Sequence, residues 1–386
     1  MHHSSISDFK KIYYKYIYLI IICSFLATCF VYLIIDEVDK YGFGENRLIS
    51  TIPTFPPNRN EYLNFPNNFE NYLKDNIGFR ANLISYYKLI NYYAFKDQGS
   101  TNVIRGKNDF LYLNQDGNSI SDHLGYSSRT KFELEEFANR IQETHDYIES
   151  KGIPYVFILV PNKITIFPEY LPNKFMQSVR KARITDQLLD YLKANTSVTI
   201  IDLREPVAKT KKICRPYDRF DTHWNYCGAT AAYDYTLNQI ELLKKFKINK
   251  IDYSIVENDT CGWGDLARLY NSSLPGKLIH KCDGFYDYEI KYDDKSCVIR
   301  QQDNPNHSQW FYVNLCDKYY QYEKALIFHD SMFSKLSTLF SKSFKETVFF
   351  LDRLGQEKLD QEISGSDIVI EQWVERYFNI KGHALY

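Results

Sequence analysis

Two patterns of apolar residues run along the chain, and the first is a single long run. Residues 16–35 hold no charged side chain over 20 positions, about the length that a helix needs to cross ~30 Å of hydrocarbon. Three lysines lie in residues 10–15 and three acidic residues in residues 36–39. An excess of lysine on one side places that side in the cytoplasm. We therefore predict one N-terminal transmembrane helix.

The apolar run continues too far for a cleaved signal peptide, so we predict an uncleaved signal anchor. Residues 1–15 would form a cytoplasmic tail and residues 16–35 the span. The rest of the chain would lie outside, as in a single-pass protein of a cell inner membrane with a periplasmic domain.

The second pattern is an alternation of short apolar runs with longer amphipathic segments after residue 100. Short unbroken runs rich in branched and aromatic residues are typical of strands covered on both faces. Their alternation with helical segments predicts a layered α/β domain with a largely parallel sheet. The predicted strands are 154–160, 198–202, 325–329, 347–351 and 367–371, and the predicted helices are 131–151, 183–194, 228–246 and 372–379.

Proline and aromatic residues mark a different organisation before this domain. We interpret residues 36–99 as a stalk, with prolines at 53, 56 and 57, followed by a Phe/Tyr-rich docking helix. Residues 100–386 would form the main domain. Within it, residues 250–322 are less regular and rich in Tyr, Asp and Asn, which suggests an inserted, substrate-facing region.

Composition narrows the classes of partner. Lys and Arg number 47 against 48 Asp and Glu, a net charge of −1, which disfavours a nucleic acid partner. Aromatic residues make up 16% of the chain, including 33 tyrosines, which suits sugar-binding clefts but is equally explained by compositional bias. Six cysteines follow the predicted span, an even number typical of exported proteins with disulfides. Their 15 possible pairings stay open. No two of these cysteines have the C-x-x-C spacing of a zinc ribbon.

Reactive residue types concentrate in two places. Asp221 and His223 stand two positions apart, so in an extended segment both side chains face one side, and the carboxylate can orient the imidazole. Ser331 follows a predicted strand, at the sheet edge where open α/β sheets bind ligands, with backbone N–H groups of the next turn available to an oxyanion. A serine needs a base to become nucleophilic, and these positions together supply both. The same residues also have explanations other than catalysis. His223 would then be a histidine whose hydrogen bonds are satisfied within the fold, and Asp330 and Ser331 would cap a helix. A metal site is the third alternative, but it lacks a recognised ligand spacing.

Several motifs resemble the SGNH-hydrolase-like O-acetyltransferases of the alginate type, the AlgJ and AlgX family. The most specific is Asp-Thr-His-Trp at 221–224, followed by Gly228-Ala229. Further matching segments are 45–47, 69–80, 106–113, 160–163 with Pro168 and Pro172, 264–267 and 329–333. One departure matters: His329 stands where the family usually has Gly before its Asp/Thr-Ser, and Met332 where it has an aromatic residue.

The resemblance implies an SGNH-hydrolase-like fold and an enzyme that acetylates hydroxyls of a secreted polysaccharide. Ser331 would be the nucleophile, His223 the base and Asp221 its orienting partner. The resemblance also implies a multi-pass membrane acyltransferase as the acetyl supplier, and no cofactor or metal of the chain's own. Further substrate or oxyanion candidates are Arg353, Trp224, Asp330 and Lys163.

Two other functions stay open at this point. The same three residues in a cleft that admits water would make a polysaccharide O-acetyl esterase. A non-catalytic, glycan-binding subunit of an export complex would instead use the aromatic-rich surface.

Overall fold

The computed structural model describes most of the chain after residue 100 and parts of what precedes it. The described residues are 13–27, 50–53, 55, 59–76, 86–87, 90, 102–114, 118–126, 128–176, 183–244, 248–258, 264–271, 287–292, 297–301, 311–316 and 324–378. The chain divides into two compact units, one of residues 1–97 with 268–279 and one of residues 98–267 with 280–386.

Helices make up most of the described part of the first unit. Residues 13–27 form a helix with exposed side chains, and a second helix, α1, spans Arg59–Asn76. Among the described residues, no helix combines the length and the apolar character that a membrane crossing requires. Residues 28–35, the last eight positions of the predicted span, lie outside the described residues, so the transmembrane helix stays a prediction.

A seven-stranded sheet organises the second unit. The strands of this unit are β1 Val103–Arg105, β2 Leu111–Leu113, β3 Tyr155–Val160, β4 Thr199–Asp202, β5 Tyr253–Asn258, β6 Asp287–Tyr292, β7 Cys297–Gln301, β8 Phe311–Cys316, β9 Lys324–Phe328, β10 Glu346–Phe350 and β11 Ile368–Val374. The strand order of the seven-stranded sheet is β4-β3-β11-β9-β10-β8-β7. The five strands from β4 to β10 are parallel, whereas β8 and β7 add to the edge as antiparallel strands.

Helices cover both faces of this sheet. The remaining α-helices are α2 Asn118–His123, α3 Lys131–Glu149, α4 Lys163–Ile166, α5 Asn173–Met176, α6 Ile184–Asn195, α7 Arg204–Lys209, α8 Tyr226–Lys244, α9 Asp265–Asn271, α10 Ser334–Phe340 and α11 Gln356–Glu362. Alternate residues of β3 enter two separate cores, Ile158 on one face and Phe157 on the other. Helices α8 and α10 pack on the first face, and α3, α6 and α11 on the second. Burial on both faces explains why β3, β9 and β10 are nearly continuous apolar runs.

The predicted α/β class with a largely parallel sheet is confirmed. The five predicted strands form the parallel part of the sheet, and four of them agree with the observed bounds within one residue. The predicted helix over residues 372–379 is wrong: β11 continues to Val374, paired with Val160 of β3, and a 3-10 turn follows at Glu375–Phe378.

The segment 250–322 is also more regular, where described, than the sequence suggests. Strands β5 and β6 pair antiparallel with each other, and β7 and β8 extend the main sheet. The predicted substrate-facing role of this segment stays a prediction.

Candidate active site

Four segments meet at the carboxyl edge of the parallel strands. Asn162 and Lys163 follow β3, Ser331 follows β9, and Arg376 follows β11. Because parallel strands end at one edge, residues far apart in sequence converge there. The fourth segment, the loop of residues 214–225, precedes α8 and carries Asp221 and His223. We call it the base loop.

The structure brings Asp221, His223 and Ser331 into one hydrogen-bonded row. His223 Nδ1 lies 2.8 Å from Asp221 Oδ1, and His223 Nε2 lies 3.0 Å from Ser331 Oγ. The backbone N–H of His223 also donates to Asp221 Oδ1 at 2.8 Å, so a single carboxylate oxygen orients both the main chain and the ring. Ser331 is exposed. Its hydroxyl is therefore next to a base and open to a ligand.

Electrostatics favour a charged Asp221 and a basic His223. Burial alone would raise the pKa of Asp221, but hydrogen bonds from the His223 ring and backbone, and its charge, lower that pKa to about 2. Burial alone would lower the pKa of His223, yet the bond to Asp221 and the charges of Asp221 and Asp265 raise it, against the opposing charge of Arg376. An ionised carboxylate beside Nδ1 stabilises the imidazolium that forms when Nε2 takes a proton.

Asp330 ties the nucleophile turn to the sheet. Its Oδ1 accepts the N–H of Met332 and its Oδ2 accepts the N–H of Val374, both at 2.8 Å. The N–H of Phe333 donates to the Asp330 carbonyl at 3.1 Å. The sequence prediction that N–H groups of the turn after Ser331 are available to an oxyanion is therefore wrong for Met332 and Phe333, because Asp330 already accepts both. It stays a prediction for the N–H of Ser331.

Trp224 and Lys163 are buried beneath the site. Trp224 is 1% exposed and donates its indole N–H to the carbonyl of Met332 at 2.8 Å. Lys163 is 5% exposed and donates through Nζ to the carbonyls of Arg219 and Asp221, at 2.7 and 2.9 Å. Burial lowers the pKa of Lys163 to about 7. Both side chains have their donors directed at backbone carbonyls, which suits positioning of the base loop and the nucleophile turn.

Arg353 lies over aromatic rings. Its guanidinium carbon is 4.6 Å from the centre of the Trp373 ring and 5.5 Å from that of Tyr377. A substrate role for Arg353 stays a prediction.

A cleft that is open to solvent lies beside the base loop. It is lined by Tyr112, Leu113, Ser119, Asn162, Lys163, Ile164, Thr222, Leu266 and Arg376. Arg376, partly exposed, donates to the side-chain oxygen of Asn162 at 3.3 Å. Its charge acts on both His223 and Asp330.

Sequence reasoning missed Asn162, Arg376 and Asp265 as site residues. Asn162 lies two positions after the end of a predicted strand, so the carboxyl-edge rule could have found it. Arg376 was hidden by the wrong helix over 372–379. Asp265 stood in a motif of the resemblance, but spacing alone gives no reason to place it beside His223.

One group among the described residues has the composition of a cation site. Ligand atoms of Asp221, His223 and Asp265 lie within 4.8 Å of one another. However, Asp221 Oδ1 and His223 Nδ1 are hydrogen-bonded to each other at 2.8 Å. A metal would have to displace that bond, so the donor set fits the proton relay better than a metal.

Known proteins resemble the chain in sequence and in fold. The family model described as an SGNH hydrolase-like domain, acetyltransferase AlgX, matches residues 103–303. A probable alginate O-acetylase AlgJ of Pseudomonas syringae pv. tomato is 26% identical over 136 residues, which are 35% of this chain and 32% of that protein. The chain thus matches about a third of the length of this relative.

A solved structure has a similar fold. PatB1 of Bacillus cereus superposes with a TM-score of 0.53 at 16% identity, over 72% of this chain and 97% of that one. The O-acetyltransferase domain of Pseudomonas putida AlgJ has a TM-score of 0.48 at 17% identity, over 73% and 94% of the two chains. Because the family model spans just over half of the 386 residues, the chain belongs to the SGNH hydrolase-like acetyltransferase family of the AlgJ and AlgX type.

Proposed function

We propose that this protein is an O-acetyltransferase that moves an acetyl group through Ser331 onto hydroxyl groups of a secreted or cell-surface polysaccharide. The observation that carries the proposal is the row from Asp221 to His223 to an exposed Ser331, with separations of 2.8 and 3.0 Å. Such a row makes an otherwise inert hydroxyl nucleophilic. Family membership and the AlgJ relative support acetyl transfer to a glycan as the reaction.

The first half of the reaction acylates Ser331. His223 Nε2 takes the Ser331 proton while Ser331 Oγ bonds to the carbonyl carbon of an acetyl donor. The tetrahedral intermediate carries an oxyanion, for which the N–H of Ser331 is the proposed donor. As the intermediate collapses, the bond to the leaving group breaks and the leaving group takes the proton from His223. Asp221 stays ionised throughout and stabilises the imidazolium.

The second half transfers the acetyl group to sugar. A sugar hydroxyl that reaches the exposed Ser331 gives its proton to His223 and attacks the acetyl-serine carbonyl. The Ser331–acetyl bond then breaks, and the proton returns to Ser331 Oγ. The chain needs no cofactor for either step.

The source of the acetyl group determines which partner protein the reaction needs. If residues 16–35 anchor the chain with the main domain outside, cytosolic acetyl-CoA cannot reach Ser331. We therefore propose a multi-pass membrane acyltransferase as the supplier. Co-purification of such a protein with the full chain from membranes would support this, and full acetylation in cells lacking any such protein would contradict it.

Product analysis tests the function. The full chain is mixed with 4-nitrophenyl acetate, with and without oligosaccharide acceptors, and acetylated sugar and free acetate are quantified. A transferase gives acetylated sugar in excess of acetate. Because Ser331 is exposed, water is the competing acceptor, and acetate as the sole product would identify an esterase instead.

Two single serine substitutions distinguish a catalytic role from a role in glycan binding alone. Ser331→Ala should lower turnover by about 10³-fold or more while glycan binding persists. Ser334→Ala, at an exposed serine that begins α10, is the matched control and should keep full activity. Equal turnover in both variants would leave only a glycan-binding role.

A further inference from the structure

A second carboxylate, Asp265, lies beside the catalytic histidine. It begins α9, next to Gly264. Its Oδ1 accepts the N–H of Thr222 at 2.7 Å, and its Oδ2 accepts the Thr222 hydroxyl. The same Oδ2 lies 3.6 Å from His223 Nδ1. Asp265 therefore holds the residue between Asp221 and His223 by two bonds and places negative charge near the imidazole.

The two carboxylates are also linked to each other. The N–H of Asp265 donates to Asp221 Oδ2 at 3.2 Å, so the start of α9 fixes the second oxygen of the orienting acid. The Thr222 hydroxyl lies 3.3 Å from His223 Nδ1. Displacing Asp265 would thus disturb both the acid and the base of the row.

The charges around His223 act in opposite directions. Asp221 and Asp265 favour the charged imidazolium, whereas Arg376, which lines the cleft, disfavours it. Lys163 lies behind Asp221, with Nζ 2.9 Å from the Asp221 carbonyl. Burial and the charge of Asp221 raise the pKa of Asp265, as expected for two carboxylates beside one imidazole. When His223 takes the Ser331 proton, the new positive charge relieves the repulsion between the two.

We infer that Asp265 is a positioning residue for acyl transfer, which holds the base loop through Thr222 and favours the protonated form of His223. The inference rests on the proposed function for its catalytic meaning. Its effect on the His223 imidazole is independent of turnover and can be measured without it.

Charge removal is the direct test. Asp265→Asn keeps a carbonyl acceptor for the Thr222 N–H but removes the charge. In the full chain we expect the acid limb of the kcat/KM profile for 4-nitrophenyl acetate to move about 0.5–1 pH unit lower, and kcat at pH 7 to fall about 5–10-fold. Asp265→Glu, which restores the charge, should return the limb towards that of the wild type. Glu205→Gln, at an exposed pair with Lys209, is the control and should change neither.

Histidine NMR gives a readout apart from activity. The ring signals of His223, assigned by their absence in His223→Gln, should titrate at lower pH in Asp265→Asn than in the wild type. If Asp265→Asn lacks a cooperative unfolding transition, Asp265→Ser replaces it, because a serine hydroxyl still offers a short acceptor.

The outcomes separate the two proposals. An unchanged His223 titration and acid limb in the folded variant would overturn the role of Asp265. Wild-type protein as inactive as Ser331→Ala would overturn the proposed function, while the His223 titration would still decide for or against Asp265.

Discussion

The indole N–H of Trp224 donates to the carbonyl of Met332 at 2.8 Å, across 108 residues of sequence. Each partner is the immediate neighbour of a member of the hydrogen-bonded row, since Trp224 follows His223 and Met332 follows Ser331. This bond therefore sets the separation between base and nucleophile. The buried indole is a positioning element rather than a surface for sugar.

Trp224→Phe tests this link. The substitution keeps most of the ring packing but leaves the Met332 carbonyl without its donor, at a cost of about 1–3 kcal/mol in unfolding free energy. We expect kcat to fall about 10–100-fold with KM little changed, because the base and the nucleophile lose their fixed separation. Denaturant unfolding and steady-state kinetics measure the two effects.

Trp373→Phe provides the comparison. Trp373 is also buried, and its indole N–H donates to Glu371 at 2.8 Å in the core on the other face of the sheet. The Trp373→Phe variant should have a lower unfolding free energy than the wild type but an unchanged kcat. A similar fall of kcat in both variants would mean that Trp224 acts only through stability.

Gly264 allows the approach of α9 to Asp221. A Cβ at this position would lie 2.0 Å from the Phe220 carbonyl oxygen and 2.8 Å from the Asp221 nitrogen. Gly264→Ala must therefore displace the base loop, and a shift of about 1 Å at the acid can lower turnover about 10²-fold. We expect that loss in kcat, measured with the acetyl ester.

Gly355 is the matched glycine. A Cβ there meets nothing within 4 Å, and its φ of −120° suits any residue. Gly355→Ala should keep full activity and gain about 0.4–1 kcal/mol of stability through the unfolded state. If Gly264→Ala were equally active, the base loop would tolerate displacement and the close packing of α9 would have no catalytic consequence.

The sequence predicts the parallel strands well and the end of β11 badly. Strands β3, β9 and β10 are recognisable because both faces are buried over nearly their whole length, so that apolar residues predominate in them. Beyond residue 370 polar residues interrupt the apolar run, and yet Glu371, Gln372 and Glu375 are buried. Tyr155 donates to Glu371 at 2.6 Å, and the N–H of Asn162 donates to Glu375 at 2.7 Å. Such partners come from distant segments, so local pattern cannot reveal them.

The residues of the candidate site likewise fall into those that the sequence predicts and those that it does not. The two-residue spacing of Asp221 and His223, and the position of Ser331 after a strand, are local signals that could be recognised in the sequence. Their convergence followed from the family resemblance and the carboxyl-edge rule. Asp265 and Arg376 reach the site through α9 and the 3-10 turn after β11, and no spacing in the sequence encodes that proximity.

The disulfide between Cys214 and Cys227 closes the base loop. The two cysteines are 13 positions apart, and the segment between them carries Asp221 and His223. A closed loop of this size contributes about 3 kcal/mol by restricting the unfolded chain. The paired variant Cys214→Ser with Cys227→Ser should lose about this much in unfolding free energy.

A reductant provides the check on that assignment. Reduction of the wild-type protein should lower its stability to the level of the paired variant, and the variant should not respond further. Equal stability of oxidised wild type and variant would mean that the loop is held by its other contacts, such as the 3.0 Å bond from the Asn225 N–H to the Pro216 carbonyl.

His329, which replaces the usual glycine before the nucleophile block, makes stability depend on pH. It is 5% exposed, between the rings of Phe333 and Phe349, with centroid distances of 5.2 and 5.9 Å. Nδ1 lies 2.8 Å from the Asp330 carbonyl, whereas the buried Nε2 has no partner among the described residues. Burial lowers the pKa of His329 to about 4.

The sign of the effect follows from proton binding. Between pH 6.5 and 4 the unfolded chain binds a proton at His329 that the folded chain does not, so unfolding becomes easier as the pH falls. The loss is roughly 3 kcal/mol over this interval at 1.36 kcal/mol for each unit of pKa. His223, whose pKa is raised, contributes with the opposite sign: its stabilisation is present below its unfolded value and is lost as the pH rises through the folded one.

His329→Phe should therefore flatten the pH dependence of stability while retaining the ring packing. Unfolding free energies at pH 7, 6, 5 and 4 should fall less steeply in the variant than in the wild type. His123, whose pKa burial and Arg183 also lower to about 4, is the comparison, and His123→Phe should remove a separate part of the slope. His329→Phe also removes the donor to the Asp330 carbonyl, so kcat should fall while KM stays near the wild-type value. An unchanged slope in His329→Phe would show that His329 is protonated within the fold, with a partner for Nε2.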